Sequence, residues 1–444
     1  MWRCESVRRA RATLAVLALG LAAACNGDST GPGDALATGS LDASRVVAVG
    51  GGYLAGESNG ALYASVQELS VPALFVRHVA PGAEFVQPLI SDPGLATADV
   101  TRGRFTLITR KPLALARESR GQPLLADLER PYDNLAVPGA LVVEAPVAES
   151  SSGSVFGNPF YDVILRGRGT AAEQAAELDP SLVLLWIGLQ DVLLYVLRGG
   201  DPDLAPGLPT TPGSFAAAYG AFVDQIAATT DQIVLFNIPD PTLLPVVHAV
   251  PNVVLNAATG DTVFVTVSEP VFDPVTGEQI GSVQRQETVR LLSAEGPLAP
   301  TERVTIDAIP FLAQGIGIPT AAGGTGGALP DEVILDDEEL GVARTTVAAY
   351  NAEIERIAAE RGLPVVDVAG LVESLATTGV VSDGVLLTSE WLFGQAFSLD
   401  GYSFTPKGYG LVTNVLIDTL NAHYGARLPH IRTADLPGFP LFGF

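Results

Sequence analysis

Serine-based acyl transfer needs a hydroxyl nucleophile, a base within hydrogen-bond reach, and N–H donors for the oxyanion that develops. Two hydroxyls stand in suggestive settings. Ser58 lies inside Gly56-Glu57-Ser58-Asn59-Gly60, and Ser403 follows Asp400 by three residues. The pentapeptide fits the G-x-S-x-G elbow pattern, which works when it sits directly on a strand-to-helix turn. Ser58, however, comes about eight residues after the apolar run Val46 to Val49. The candidate bases are His78, His248, His423 and His430, none of them in an Asp-x-x-His context. His423 belongs to the predicted last helix and His430 to the tail after it, so both read as surface or capping residues. The acidic run Asp331-Glu332 with Asp336-Asp337-Glu338-Glu339 has no EF-hand spacing. It reads as a helix N-terminus, where carboxylates suit the macrodipole. No Cys/His metal spacing, P-loop or dinucleotide fingerprint occurs, so neither metal nor cofactor is expected.

Positioning such residues requires elements that end in turns. Short apolar runs alternate with helical patterns along most of the chain. Arg45 to Val49, Asn134 to Val137, Leu182 to Ile187, Gln232 to Asn237 and Leu363 to Asp367 read as strands. An amphipathic stretch from Leu62 to Val79 and helices over Phe215 to Thr229 and Glu338 to Arg361 lie between them. Leu182 to Leu197 contains Gln190 and Asp191 and reads as a buried strand running into a helix. Val/Ile/Leu runs separated by helices predict parallel strands covered on both faces. The fold class is therefore α/β, with the ligand crevice at the carboxyl ends of the strands. Residues 80–133, with a hairpin around Arg104 to Ala116, and residues 250–330 read as insertions. The second is β-rich, with strands at Thr262 to Val267 and Arg303 to Ile306 and a Gly-rich loop from Ala321 to Gly327. A separate small β domain over 250–330 is the alternative.

Four blocks in order, each at a strand end, resemble the SGNH, or GDSL, hydrolases, a family of esterases and lipases. The first is Val46-Val47-Ala48-Val49-Gly50-Gly51-Gly52-Tyr53-Leu54-Ala55-Gly56, similar to a strand followed by G-D-S-x-x-x-G. The second is Asn134 to Ala140, in which Gly139 matches the glycine whose N–H serves the oxyanion hole. The third is Gly188-Leu189-Gln190-Asp191, where the family has Gly-x-Asn-Asp. The fourth is Ser398 to Tyr409, in which Asp400 matches the family's Asp-x-x-His and Ser403 takes the His position. Ile238-Pro239-Asp240 and Tyr350-Asn351 are further matches. The resemblance spans about residues 44–430 and implies a three-layer, flavodoxin-like fold with a five-stranded parallel sheet. It also implies a degenerate site. Gly51 stands for Asp and Gly52 for the nucleophilic Ser, so no side chain can attack a carbonyl. The Ser403 hydroxyl has no pKa suited to a base at neutral pH. Gln190 is one methylene longer than Asn and would move its amide donor by about 1 Å, a misplacement that costs on the order of 100-fold.

The first residues carry a processing signal. Arg3, Arg8, Arg9 and Arg11 precede Leu14 to Ala24, an apolar run of eleven residues. A bilayer span needs roughly 20, so the run reads as the h-region of a secretory signal. Ala22-Ala23-Ala24-Cys25 resembles a bacterial lipobox, with Ala22 where Leu is usual, which implies lipidation of Cys25. The only other cysteine, Cys4, leaves with the signal, so no disulfide is expected. Residues 25–43 read as lipidated cysteine and flexible tether, and 431–444 as a tail. Loss of residues 1–24 removes four Arg and one Glu, taking the net charge from −24 to −27. That balance argues against nucleic acid and against docking on anionic lipid through a basic patch.

The expectation is a lipid-anchored bacterial envelope protein with an inactive hydrolase-like domain. Its crevice, at Gly51, Gly52, Gly139 and Gln190, would bind an ester, acyl or glycan ligand. Asn26 after Cys25 points to the outer membrane. The alternatives are an active carboxylesterase or lipase using Ser58 or Ser403, and an envelope protein with no small ligand.

Overall fold

A computed structural model describes residues 36–110, 113–256 and 259–438. The expected signal sequence, Cys25 and the first part of the tether lie outside the described residues. Four runs, buried throughout except at Val365, form one parallel sheet: β1 (Val46–Gly50), β2 (Leu182–Trp186), β3 (Ile233–Phe236) and β4 (Val365–Val366), in that order. Parallel registers pair Val46 with Leu182, Val183 with Ile233, and Val365 with Leu235. The expected fifth strand is reduced to a segment along the outer edge of β1. There Ala48 bonds to the Asp133 carbonyl, Leu135 N–H to Ala48 and Val137 N–H to Gly50. Beyond Val137 the chain turns away, with Gly139 at φ +75°.

Helices cover both faces, which is why the strands are apolar throughout rather than alternating. One layer holds α2 (Val71–Val79), α7 (Val368–Thr377) and α8 (Pro406–Tyr424). The other holds α3 (Ala171–Glu177), α4 (Gln190–Leu197), α5 (Pro212–Ala227) and α6 (Asp337–Arg361). A single turn, α1 (Gly52–Ala55), follows β1. The acidic run at 336–339 starts α6 through a capping box: Asp336 accepts from Glu339 N–H, and the Glu339 carboxylate accepts from Asp336 N–H. The stretch from Leu62 to Val79 is not one helix; it splits into a turn at Ala64–Gln67 and α2, which Pro72 starts.

The chain from Thr38 onward forms one compact unit that includes the 250–330 segment. That segment has a small core of its own, with Val254, Leu291, Leu298 and Val304 buried in it. Its long hairpin, Phe264–Phe272 with Gln279–Thr288, extends beyond the expected strand and is almost wholly solvent-exposed. The expected hairpin near residue 104 is present as Arg102–Arg110 with Leu113–Ser119. The tether is shorter than expected: Leu41 is buried, and Ser40 N–H bonds to the Tyr424 carbonyl at the end of α8. Residues of the expected tail also pack, Thr433 being buried beside α8 with its hydroxyl bonded to Ser382. No helix of the described residues is long and apolar enough to cross a membrane.

Candidate functional site

The site is built where β1 and β2 end. Gly51 N–H donates to the Trp186 carbonyl at 2.8 Å, which closes the ends of the two strands on each other. The Trp186 indole N–H donates to the Asn237 carbonyl at 3.1 Å after β3. Asn351 on α6 holds the next residue from both sides, accepting from Ile238 N–H and donating to its carbonyl, each at 2.8 Å. Gly188, at φ +113°, lets the chain turn from β2 into α4; a Cβ there would lie 2.6 Å from Ile238 Cδ1 and 2.7 Å from Phe215 Cε2. The strand ends are thus fixed by backbone contacts and aromatic packing, with Tyr53 edge-on to Trp186 at 4.8 Å.

Between them is a narrow crevice with a volume of about 30 Å³. That is room for about two waters, or for a small group of two or three heavy atoms. Gly51, Gly52 and Gln190 line it together with Glu57, Trp186 and Tyr402. Gly139 is not on its wall; its neighbour Ala140 is. Three of the four binding positions expected from the sequence therefore meet in one place. The Gln190 side chain is half-buried and has no hydrogen-bond partner among the described residues. Gly52 N–H likewise has no acceptor there.

Glu57 is the group the sequence reading overlooked as chemistry. It is 6% exposed, and Oε1 accepts from the Thr97 hydroxyl at 2.6 Å and the Tyr402 hydroxyl at 3.1 Å. Oε2 has no partner among the described residues and points at Gly52: a Cβ there would sit 2.3 Å from it. The carboxyl occupies the space a side chain at position 52 would need. Burial, reinforced by the Asp400 carboxylate, pushes the Glu57 pKa up to about 7, against the bonds from Thr97 and Tyr402 and the charge of Arg117. Burial and the same two carboxylates hold Tyr53 and Tyr402 neutral, well above the usual phenol range.

Asp400 and Ser403 stand behind this wall rather than in the crevice. Asp400 is 1% exposed and accepts three backbone N–H groups: Gly60 at 2.6 Å, Tyr402 at 2.9 Å and Ser403 at 2.7 Å. It pins the loop before α8 to the turn after Glu57. Ser403 is wholly buried, and its hydroxyl has no hydrogen-bond partner among the described residues. Ser58 is buried too, and it faces a different cavity, of about 330 Å³, with Tyr63, Arg104 and Ser398. None of the four histidines hydrogen-bonds a serine among the described residues. His78 bonds to the Pro429 carbonyl, His248 to the Thr242 carbonyl and His430 to Asp418, while His423 packs on Tyr424. Asp191, next to Gln190, is buried and ties two loops together, accepting from Thr210 Oγ1 at 2.6 Å and Val142 N–H at 2.9 Å. Burial pushes its pKa up to about 7 despite those two bonds. Among the described residues no cluster of three or more His, Cys, Asp or Glu side chains could hold a metal ion.

The arrangement offers unpaired N–H donors and one buried carboxyl to a small group entering at the strand ends. Comparison with protein-family models, with curated proteins and with solved structures found no match.

Proposed function

We propose that this chain is a bacterial envelope lipoprotein, anchored through Cys25, whose SGNH-hydrolase-like domain binds a short acyl group without cleaving it. One observation carries the reading. At the end of β1, where acyl transfer would need a nucleophile, Gly52 presents bare backbone, and the Glu57 carboxyl fills the side-chain space. The donors that remain, Gly52 N–H and the Gln190 amide, suit a carbonyl oxygen. The crevice is narrow, which favours a short acyl group over a whole sugar ring, so a glycan would bind through an acyl substituent.

The segment 134–137 beside β1 supports reading the sheet as the five-stranded flavodoxin-like type, with that segment as a degenerate outer strand. Asp400 keeps its place but has no imidazole to orient, and its oxygens are committed to backbone N–H groups. The acidic balance argues against nucleic acid as a partner.

The test pairs turnover with binding. p-Nitrophenyl acetate and butyrate should be hydrolysed no faster than by the buffer with an inert protein added, while acetate esters should bind saturably. Product release at enzymatic rates, or labelling of Ser58 or Ser403 by a fluorophosphonate, would overturn the reading.

A further inference from the structure

We infer that Glu57 is the ligand-facing group of the crevice, donating a hydrogen bond from its protonated carboxyl to the oxygen of an acyl group. The inference rests on the acyl-binding reading above and deepens it. The geometry comes first. Glu57 is more than nine-tenths buried, and its two oxygens have different duties. Oε1 is held by the Thr97 and Tyr402 hydroxyls, both donating. Oε2 faces Gly52 on the wall of the crevice and has no partner. The Thr97 hydroxyl lies 2.6 Å from Oε1 and 3.3 Å from its other acceptor, the Gly60 carbonyl, so its proton goes to Oε1; with Tyr402 donating there too, a proton on the carboxyl resides on Oε2.

The remaining polar groups on that wall decide the ligand. Gly52 N–H and Gln190 Nε2 are donors without acceptors. With Oε2 protonated, the Glu57 hydroxyl and Gly52 N–H are two donors for the two lone pairs of an acyl oxygen, and the Gln190 amide stands beside them. An ammonium ion offers no acceptor and would leave those donors unpaired. Two charged groups flank Glu57. Asp400 stands on one side, fully bonded to backbone N–H groups, and Arg117 on another, bonded to the Gly60 and Gly103 carbonyls. Tyr53, Tyr402 and Tyr409 complete its surroundings and are neutral phenols. Glu57 titrates at about 7, so the competent form is about half populated at neutral pH. An ester carbonyl and a free carboxylate share the chemistry recognised here; the proton comes from solvent in both cases.

The experiment is a titration of the [15N]glycine-labelled full chain with ethyl acetate and, separately, with acetate, at pH 5.5 and 8.5. The readout is the amide shifts of Gly51, Gly52 and Gly188. Only the protonated fraction binds, so affinity should fall about 30-fold between the two pH values. Glu57→Gln should bind equally at both. Thr97 and Tyr402 donate to one atom, so the amide must turn its oxygen to them and its NH2 into the crevice, mimicking the acid. A response to ethyl acetate alone names the ester as ligand; a response to acetate alone names the free acid. Wild-type binding that ignores pH, or tightens at pH 8.5, overturns the role of Glu57 and leaves the acyl-binding reading standing. No response to either compound at either pH removes that reading and the inference with it. Should Glu57→Gln fail to fold, the wild-type pH profile decides alone.

Discussion

Oε2 of Glu57 lies 2.3 Å from the position a Cβ on Gly52 would take, so a side chain at position 52 is admitted only if the Glu57 carboxyl moves. Gly52→Ser must push the carboxyl away from Thr97 and Tyr402, and overpacking of this kind costs about 1–3 kcal/mol. The expected outcome is a lower melting temperature for Gly52→Ser. In the double variant with Glu57→Ala the loss should be smaller than the sum of the single losses, with a coupling of about 0.5–3 kcal/mol. A Cβ on Gly51 meets only the Trp186 carbonyl, at 3.8 Å, so Gly51→Ala should fold without that penalty. Additive losses for the 52/57 pair in a double-mutant cycle would contradict the relationship.

Ser403 carries the opposite expectation. Its hydroxyl is buried with no partner, so the fold already bears the cost of desolvating it. Ser403→Ala should leave stability unchanged or raise it by up to about 1 kcal/mol, measured by urea unfolding. Ser403→His, the change a restored triad would need, must fit an imidazole where no surface is exposed and should destabilise the chain. A clear loss in Ser403→Ala would mean that the hydroxyl has a partner after all.

The elements that place the site were legible because their cause is local. Val46 to Gly50 and Leu182 to Trp186 are apolar at every position, and that pattern alone marks strands buried on both faces. The long α6 announced itself through the acidic run ending at Glu339, which marks a helix N-terminus, although the capping pair Asp336 and Glu339 within it was not read. The role of Glu57 was not legible. Its burial depends on Tyr402 and Asp400, more than three hundred residues away, and no spacing rule connects them. The available signal was weak: one charge two residues after the apolar turn Tyr53-Leu54-Ala55. The strand Gln279–Thr288 was missed for a different reason. It is exposed along nearly its whole length and so carries no apolar period to read, although Asp273 to Gly277 has the residue types of a turn.

Asp400 is where removal should be most costly. Three backbone N–H groups from Gly60, Tyr402 and Ser403 end on its two oxygens. Asp400→Ala would leave all three without an acceptor, and each unsatisfied buried group costs about 1–3 kcal/mol, so the total loss should exceed about 3 kcal/mol. Asp400→Asn keeps one acceptor and turns an NH2 toward the other donor or donors, so an intermediate loss is expected. If Asp400 mattered only as a relic of a catalytic group, both variants would unfold at the wild-type denaturant midpoint.

Stability itself should depend on pH with an unusual sign. Glu57 and Asp191 titrate near 7 in the folded chain, well above carboxylates in an unfolded one. Between about pH 4.5 and 7 the folded state therefore holds protons that the unfolded state has released. Their contribution is complete below the unfolded pKa and is lost as pH rises through 7, with a slope of up to about 1.4 kcal/mol per pH unit for each group. Glu339 acts in the same sense, weakened by its contact with solvent. His248 opposes them: burial lowers its pKa, so its contribution is present above 6.5 and fades as the pH falls. Two buried carboxyls against one imidazole leave a net decline, so the melting temperature should fall from pH 5.5 to pH 8. Glu57→Gln cannot ionise there and should flatten that fall. A melting temperature that rises over the same interval would mean that Glu57 and Asp191 are ionised in the folded chain at pH 5.5, as ordinary surface carboxylates are.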